Sequence, residues 1–257
     1  MSSSQAQIGR VQRCRRYPVK SFQGIELESI EIGPRGVVGD RAWGIVDDEG
    51  HVLSAKRFKA LFDGTATDET ITVPGHAPRE LGDPEVDAEL NEWLGRPVRL
   101  VRPTDVDSTS YEMTFDPPED DSDYFEIPSP EGSFRDLADV HLLTTATLDG
   151  FGAARPDLDW DVRRFRPNLV LDVDGAEPLV EQTWLGREIH VGPVLLRVDS
   201  PTVRCAMPLR AQPGGLERQP GLFQAMNELN ETFPNHLGVY CTVVIPGTVS
   251  VGDPVSV

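Results

Sequence analysis

The run V-D-S-P-T-V-R-C-A-M-P, Val198 to Pro208, decides how this chain is read. Leu195-Leu196-Arg197-Val198 alternates as a half-buried strand does, and Pro201, which has no amide hydrogen to give a ladder, is expected to end it. Cys205 then falls in a turn or loop just past a strand end. Arg204 beside it would favour a thiolate, because a neighbouring cation lowers the pKa of a thiol. A free cysteine more often packs as a small buried hydrophobe. Against that stand the flanking arginine, Pro201 and Pro208, which make a poor core segment, and the absence of a partner at metal-finger or redox-pair spacing.

The chain around this loop has 257 residues, enough for one large domain or two compact ones. Its 39% hydrophobic content is ordinary for a globular protein, and it has no apolar stretch of the roughly 18 residues a membrane span needs. The start, M-S-S-S-Q-A-Q, has neither the basic-then-apolar pattern of a secretory signal nor an arginine-rich presequence, so the cytoplasm is the expected compartment. Cys14, Cys205 and Cys241 are too few and too scattered for a disulfide framework or a four-cysteine metal site. The formal charge of −18, from 24 basic and 42 acidic side chains, argues against nucleic-acid or anionic-membrane binding. A local pocket of Arg and Lys could still invert that sign for a small anion.

In chain order, Ile8 to Cys14 reads as a strand, followed by R-R-Y-P-V-K-S, in which Lys20 and Ser21 set an ammonium beside a hydroxyl as an anion grip. Ile25, Leu27, Ile30 and Ile32 alternate with a one-residue slip, as one bulged strand would. Gly33, Gly36 and Gly39 fit neither phosphate-binding signature and read as turn glycines. A-W-G-I-V-D is expected to turn at Asp48-Glu49-Gly50 and return through H-V-L-S-A-K, adding Arg41, Lys56 and Arg57 to the cations near Lys20. Residues 59–65 read as a strand. D-P-E-V-D-A-E-L-N-E-W-L-G predicts a helix between a capping Asp83 and a terminating Gly95. Residues 105–131 are acidic and rich in Pro and Ser, and read as a domain junction or surface loop.

Farther on, H-L-L-T-T-A-T-L-D-G-F predicts a strand and then a helix capped by Thr144 or Thr145, with His141 structural. In R-R-F-R-P-N-L-V-L-D three arginines precede a buried strand, where Asp159 and Asp161 or a bound anion would answer them. Arg166 and Asn168 flank Pro167, a fork of donors and an amide suited to a planar polar ring. Leu222, Met226, Leu229 and Phe233 line one face of a helix reaching Pro234, and Cys241 lies inside an apolar core strand.

Y-P-V-K-S at 17 to 21, D-R at 40 to 41, R-R-F-R-P-N at 163 to 168, Glu181 with Trp184, and R-C at 204 to 205 together resemble proteins made of a MOSC N-terminal β-barrel domain followed by a MOSC domain. Within that family the sequence is most similar to the amidoxime-reducing molybdenum enzymes and their bacterial relatives, over about residues 8 to 257. The resemblance implies a mostly β fold with short helices, in two β-rich parts: a barrel-like domain over 8–104, the acidic junction 105–131, and a MOSC barrel over 132–257. It implies a molybdenum-molybdopterin cofactor between them, with Cys205 as metal ligand and catalytic residue. Lys20, Ser21 and Arg41 match cofactor-binding positions on one side, and Arg166 and Asn168 on the other, with Arg204 beside the ligand.

The implied reaction is two-electron reduction of small N-hydroxylated compounds, fed by a separate electron-donating redox protein or reductase. Nucleic acid and membrane are not expected as partners, and a monomer suffices. The chain differs from longer bacterial relatives in having no ferredoxin-type cysteine cluster, and from mitochondrial members in having no membrane-targeting segment. Two alternatives stay open: sulfur transfer through a persulfide on Cys205, and non-catalytic binding of the cofactor.

Overall fold

The computed structural model describes residues 6–106, 110–113, 123, 125–129 and 132–257. Strands dominate, as expected, and the few helices are short. Seven strands close on themselves in the order Leu169–Val173, Val140–Thr144, His236–Ile245, Val194–Val203, Glu188–Val191, Pro254–Ser256 and Gln7–Arg16, the last pairing back onto Leu169–Val173. Closure leaves no free edge in the ring. Alternate residues such as Val11, Leu142, Leu171, Leu196, Val239 and Cys241 point inward and form one continuous core.

A second core lies outside the barrel, around Val19, Phe22, Ile45, Leu61, Phe62 and Leu90. Its elements are the pair Gly44–Asp47 with Val98–Val101, a three-stranded sheet of Thr65–Ala66, Thr70–Thr72 and Arg79–Glu80, and the helix Glu85–Leu94. The helix ends as its sequence predicts. Asp83 Oδ1 accepts the Glu85 amide at 2.9 Å, and Gly95 takes the left-handed conformation, φ 66°, that closes the last turn. Among the described residues no helix is long and apolar enough to cross a membrane.

Several local readings change. Pro201 does not end its strand, which runs to Val203. Register shifts on both sides, between Val198 and Ser200 and between Pro201 and Val203, mark the irregular ladder in which a residue without an amide hydrogen can sit. Lys59–Asp63 is a 3-10 turn instead of a strand, with Leu61 and Phe62 buried in the second core. Ile25–Leu27 and Ser29–Gly33 are two strands in different sheets, paired with Gln7–Arg16 and Gly247–Ser250. The return after Gly50 is a single bridge from Val46 to Val52, and Gly44–Asp47 pairs along its length with Val98–Val101. The last helix stops at Leu229, before Phe233, whose amide donates to Asn230 Oδ1. Most of the acidic stretch 105–131 lies outside the described residues.

Candidate functional site

A cleft enclosing about 900 Å³, open solvent at its mouth included, lies where the barrel meets the second core. It brings together all seven residues singled out above: Lys20, Ser21, Arg41, Arg166, Asn168, Arg204 and Cys205. Each element delivers its residue at an end or a turn. Cys205 follows the strand Val194–Val203 and is half-buried. Arg166 and Asn168 join the short helix Val162–Phe165 to the strand Leu169–Val173. Lys20 and Ser21 occupy the turn after Gln7–Arg16.

Ser21, Arg41 and Arg166 have φ values of 70°, 48° and 55°. A non-glycine residue in this left-handed region is strained, and it persists where its surroundings over-determine it. Those surroundings are on view here. The Ser21 hydroxyl oxygen accepts the Ala55 amide at 2.9 Å, and the Arg41 amide donates to Tyr17 O at 2.7 Å. Two guanidinium groups lie over the buried Tyr17 ring, Arg41 at 4.3 Å and Arg166 at 4.2 Å from its centroid. Its hydroxyl donates to Pro167 O at 3.2 Å and accepts from Arg15 Nε at 3.3 Å. Tyr17 thus gives two pocket cations an aromatic surface to pack on.

Arg166 Nη1 donates to Phe22 O, and Arg204 Nη2 to Phe165 O, both at 2.8 Å. Arg166 Nη2 and Arg204 Nε are buried and have no acceptor among the described residues. Both donors line the cleft, where a bound ligand or a water would complete them. Burial, and next the Arg41 charge, pull the Arg166 guanidinium down to about 10, so it is still charged at neutral pH. Burial also lowers Arg204. Asn168 is more occupied than its sequence context suggested. Its Oδ1 accepts the His141 amide at 3.1 Å and its Nδ2 donates to Arg15 O at 3.4 Å, so it ties two barrel strands at the pocket wall.

The lysines are already engaged. Lys20 Nζ donates to Phe134 O at 2.7 Å and to Asp136 Oδ1 at 2.5 Å, and Lys56 Nζ donates to Asp136 Oδ2 at 3.0 Å. Burial would raise the Asp136 carboxyl, but Lys20 and Lys56 hold it well below the usual carboxylate range. His141 is pushed well below its ordinary value by burial and then by Arg204, and is neutral. Burial raises the Tyr240 phenol to about 12. Lys20, Arg41, Lys56, Arg135, Arg166 and Arg204 outnumber the two lining carboxylates, Asp40 and Asp136. A strongly acidic chain therefore carries a cationic cleft.

Sequence reasoning did not single out Asp136, Tyr240 or the stacking role of Tyr17, and it counted Lys56 as a general cation. Asp136 follows an acidic run that gives one aspartate no distinction, and Tyr240 stands in an apolar strand. Cys14 and Cys241 are core residues; burial raises the Cys14 thiol to about 12 and Cys241 further. Among the described residues no group of three or more His, Cys, Asp or Glu could hold a metal ion. The donor set fits an anionic ligand that brings most of its own metal coordination: one accessible soft sulfur, Cys205, beside two open guanidinium donors.

Residues 8–92 match the family described as MOSC N-terminal beta barrel domain, and residues 130–256 the family described as MOSC domain. Mitochondrial amidoxime-reducing component 1 of Danio rerio is 26% identical over 288 residues, which cover 96% of this chain and 84% of that protein. Mitochondrial amidoxime reducing component 2 of Rattus norvegicus is likewise 26% identical, over 97% of this chain and 83% of its own length. Molybdenum cofactor sulfurase of Danio rerio is 27% identical over 74% of this chain, a stretch that spans 27% of the sulfurase.

Proposed function

Since the chain belongs to the proteins that join a MOSC N-terminal beta barrel domain to a MOSC domain, we propose that it is a molybdenum-cofactor oxidoreductase that reduces small N-hydroxylated compounds to amines or amidines. The observation that carries this reading is the half-buried Cys205 beside buried, open donors on Arg166 and Arg204. Cys205 would give the metal a thiolate. Arg166, Arg204 and Arg41 would hold the pterin and its phosphate, with Ser21 and Lys20 at the same wall. When bound, the cofactor supplies the two-electron redox centre.

The reaction takes up two electrons and two protons, breaks the N–O bond and releases water. The chain's own part is to orient the substrate and keep proton-bearing groups beside it. Tyr240, Lys20 and Lys56 carry such protons in the cleft, whereas neutral His141 does not carry an acidic one. Electrons would come from a separate electron-donating redox protein or reductase.

Protein made in a host that synthesises molybdopterin should contain equimolar molybdenum. With a chemical reductant supplied, it should convert an N-hydroxylated amidine to the amidine. Molybdenum without turnover would point to a cofactor-binding protein. The likeness to a molybdenum cofactor sulfurase favours one other reading, a persulfide on Cys205. Metal-free protein that carries one extra sulfur atom on Cys205 would decide for it.

A further inference from the structure

Lys20 and Lys56 are 6% and 2% exposed. A buried ammonium tends to give up its proton, because low-dielectric surroundings disfavour the charged form. One carboxylate meets both. Asp136 Oδ1 accepts from Lys20 Nζ at 2.5 Å and Oδ2 from Lys56 Nζ at 3.0 Å. The three residues come from three segments distant in sequence: the turn after Gln7–Arg16, the turn at 54–57, and the coil at 132–139. That coil is anchored by fully buried Phe134, whose amide donates to Arg41 O at 3.1 Å and whose carbonyl accepts from Lys20 Nζ. The Asp136 side chain itself keeps 32% of its surface exposed and lines the cleft.

The surrounding charges make this arrangement consequential. Arg41 bears on Lys20, Cys205 and Tyr240 bear on Lys56, and Arg41 and Arg204 bear on Asp136. Asp136 thus pairs directly with two lysines and feels two arginines farther off, one of which, Arg41, is itself paired with Asp40. We infer that Asp136 is a positioning residue of the Cys205 cleft: its carboxylate, forked between Lys20 and Lys56, keeps two buried ammonium groups in place and charged, so that the cleft retains an anion. The inference rests on the reading of this cleft as a cofactor site. Burial pulls Lys20 below the ordinary lysine range against the opposition of Asp136, whereas for Lys56 the pull of Asp136 and then Cys205 overcomes burial and holds it above that range. Replacing the carboxylate by an amide of the same shape removes the counter-charge and leaves burial and mutual repulsion unopposed.

The test uses the full chain with isotope-labelled lysine side chains, free of cofactor, with the Nζ resonances followed by NMR through the alkaline range. In the parent protein both lysines should be charged at neutral pH. In Asp136→Asn both should titrate lower, by about one to three pH units, the usual effect of removing an opposite charge at contact distance. Asp136→Glu should restore most of the difference. In a second arm, protein loaded in a molybdopterin-producing host is dialysed at rising pH, and Asp136→Asn should release molybdenum at a lower pH than the parent.

Unchanged lysine titrations in Asp136→Asn would overturn the inference, as would a parent in which either lysine has already lost its proton at neutral pH, a measurement that needs no variant. Tighter molybdenum retention by Asp136→Asn at every pH would also overturn it, by making Asp136 a competitor for the lysines. If the parent acquires no molybdenum while the lysines shift as expected, the cofactor reading falls and the charge-holding role of Asp136 stands.

Discussion

Replacing Tyr17 separates the two jobs its side chain performs. Tyr17→Phe removes the hydroxyl and strands two buried partners, Pro167 O and Arg15 Nε, but keeps the ring over which Arg41 and Arg166 pack. Losing such a hydrogen-bonded pair costs about 1–2 kcal/mol, and at about 2–4 °C per kcal/mol for a chain of this size the melting temperature should fall by about 2–8 °C. Tyr17→Leu also removes both ring faces. Each desolvated cation–π contact is worth about 1–2 kcal/mol, so the total loss should reach about 3–6 kcal/mol. Without the ring, Arg166 keeps its bond to Phe22 O and Arg41 its pairing with Asp40, but both lose the aromatic surface they pack on in the cleft. Calorimetric melting should therefore rank parent above Tyr17→Phe above Tyr17→Leu. Molybdenum and pterin content of folded protein after gel filtration should fall sharply in Tyr17→Leu alone. Equal melting temperatures and equal cofactor content in the two variants would show that the stacked ring neither stabilises the fold nor orients the arginines.

Three further outcomes are expected. Gly24→Ala should reproduce part of the Tyr17→Leu defect, since a Cβ at residue 24 would stand 2.3 Å from Tyr17 Cε1, in a buried ring that also packs against two arginines; parent-like melting and cofactor content would contradict this. Cys205→Ser should abolish turnover per molybdenum with melting little changed, whereas Cys241→Ser, which puts a hydroxyl into the barrel core, should cost about 1–3 kcal/mol of stability and spare turnover. Glu181 is fully buried against the Thr144 and Thr147 hydroxyls, each donating at 2.7 Å, and burial raises its carboxyl above the ordinary 4.5 despite them. Its stabilising contribution is complete below the unfolded value and declines as pH rises from there through the raised folded value, because the unfolded chain releases its proton first. Urea unfolding of Glu181→Gln should lack that decline and match or exceed the parent at pH 7; a steeper loss in the variant would refute the assignment.

What the sequence alone determined here is local or compositional. The helix Glu85–Leu94 was legible because Asp83, Gly95 and the apolar stripe act within a few residues of one another. The strand with Cys241 followed from its apolar run in the same way, and Cys205 does fall past a strand end, although that end is Val203 and not the expected Pro201. The candidate site residues stood out because cations are scarce in so acidic a chain, and because their order resembled a family pattern. Tertiary structure decided whatever depends on pairing across long separations. The barrel closes only when Gln7–Arg16 meets Leu169–Val173, a register no local pattern encodes. Pro201 stays in its strand because bulges against His236–Ile245 leave room for it. Lys56 looks like any surface lysine until folding buries it against Asp136, some eighty positions along the chain, and Tyr17 like any aromatic until Arg41 and Arg166 pack over its ring. Charge state and orientation in this cleft are set by low-dielectric contacts between distant segments, and those exist only once the two cores are assembled.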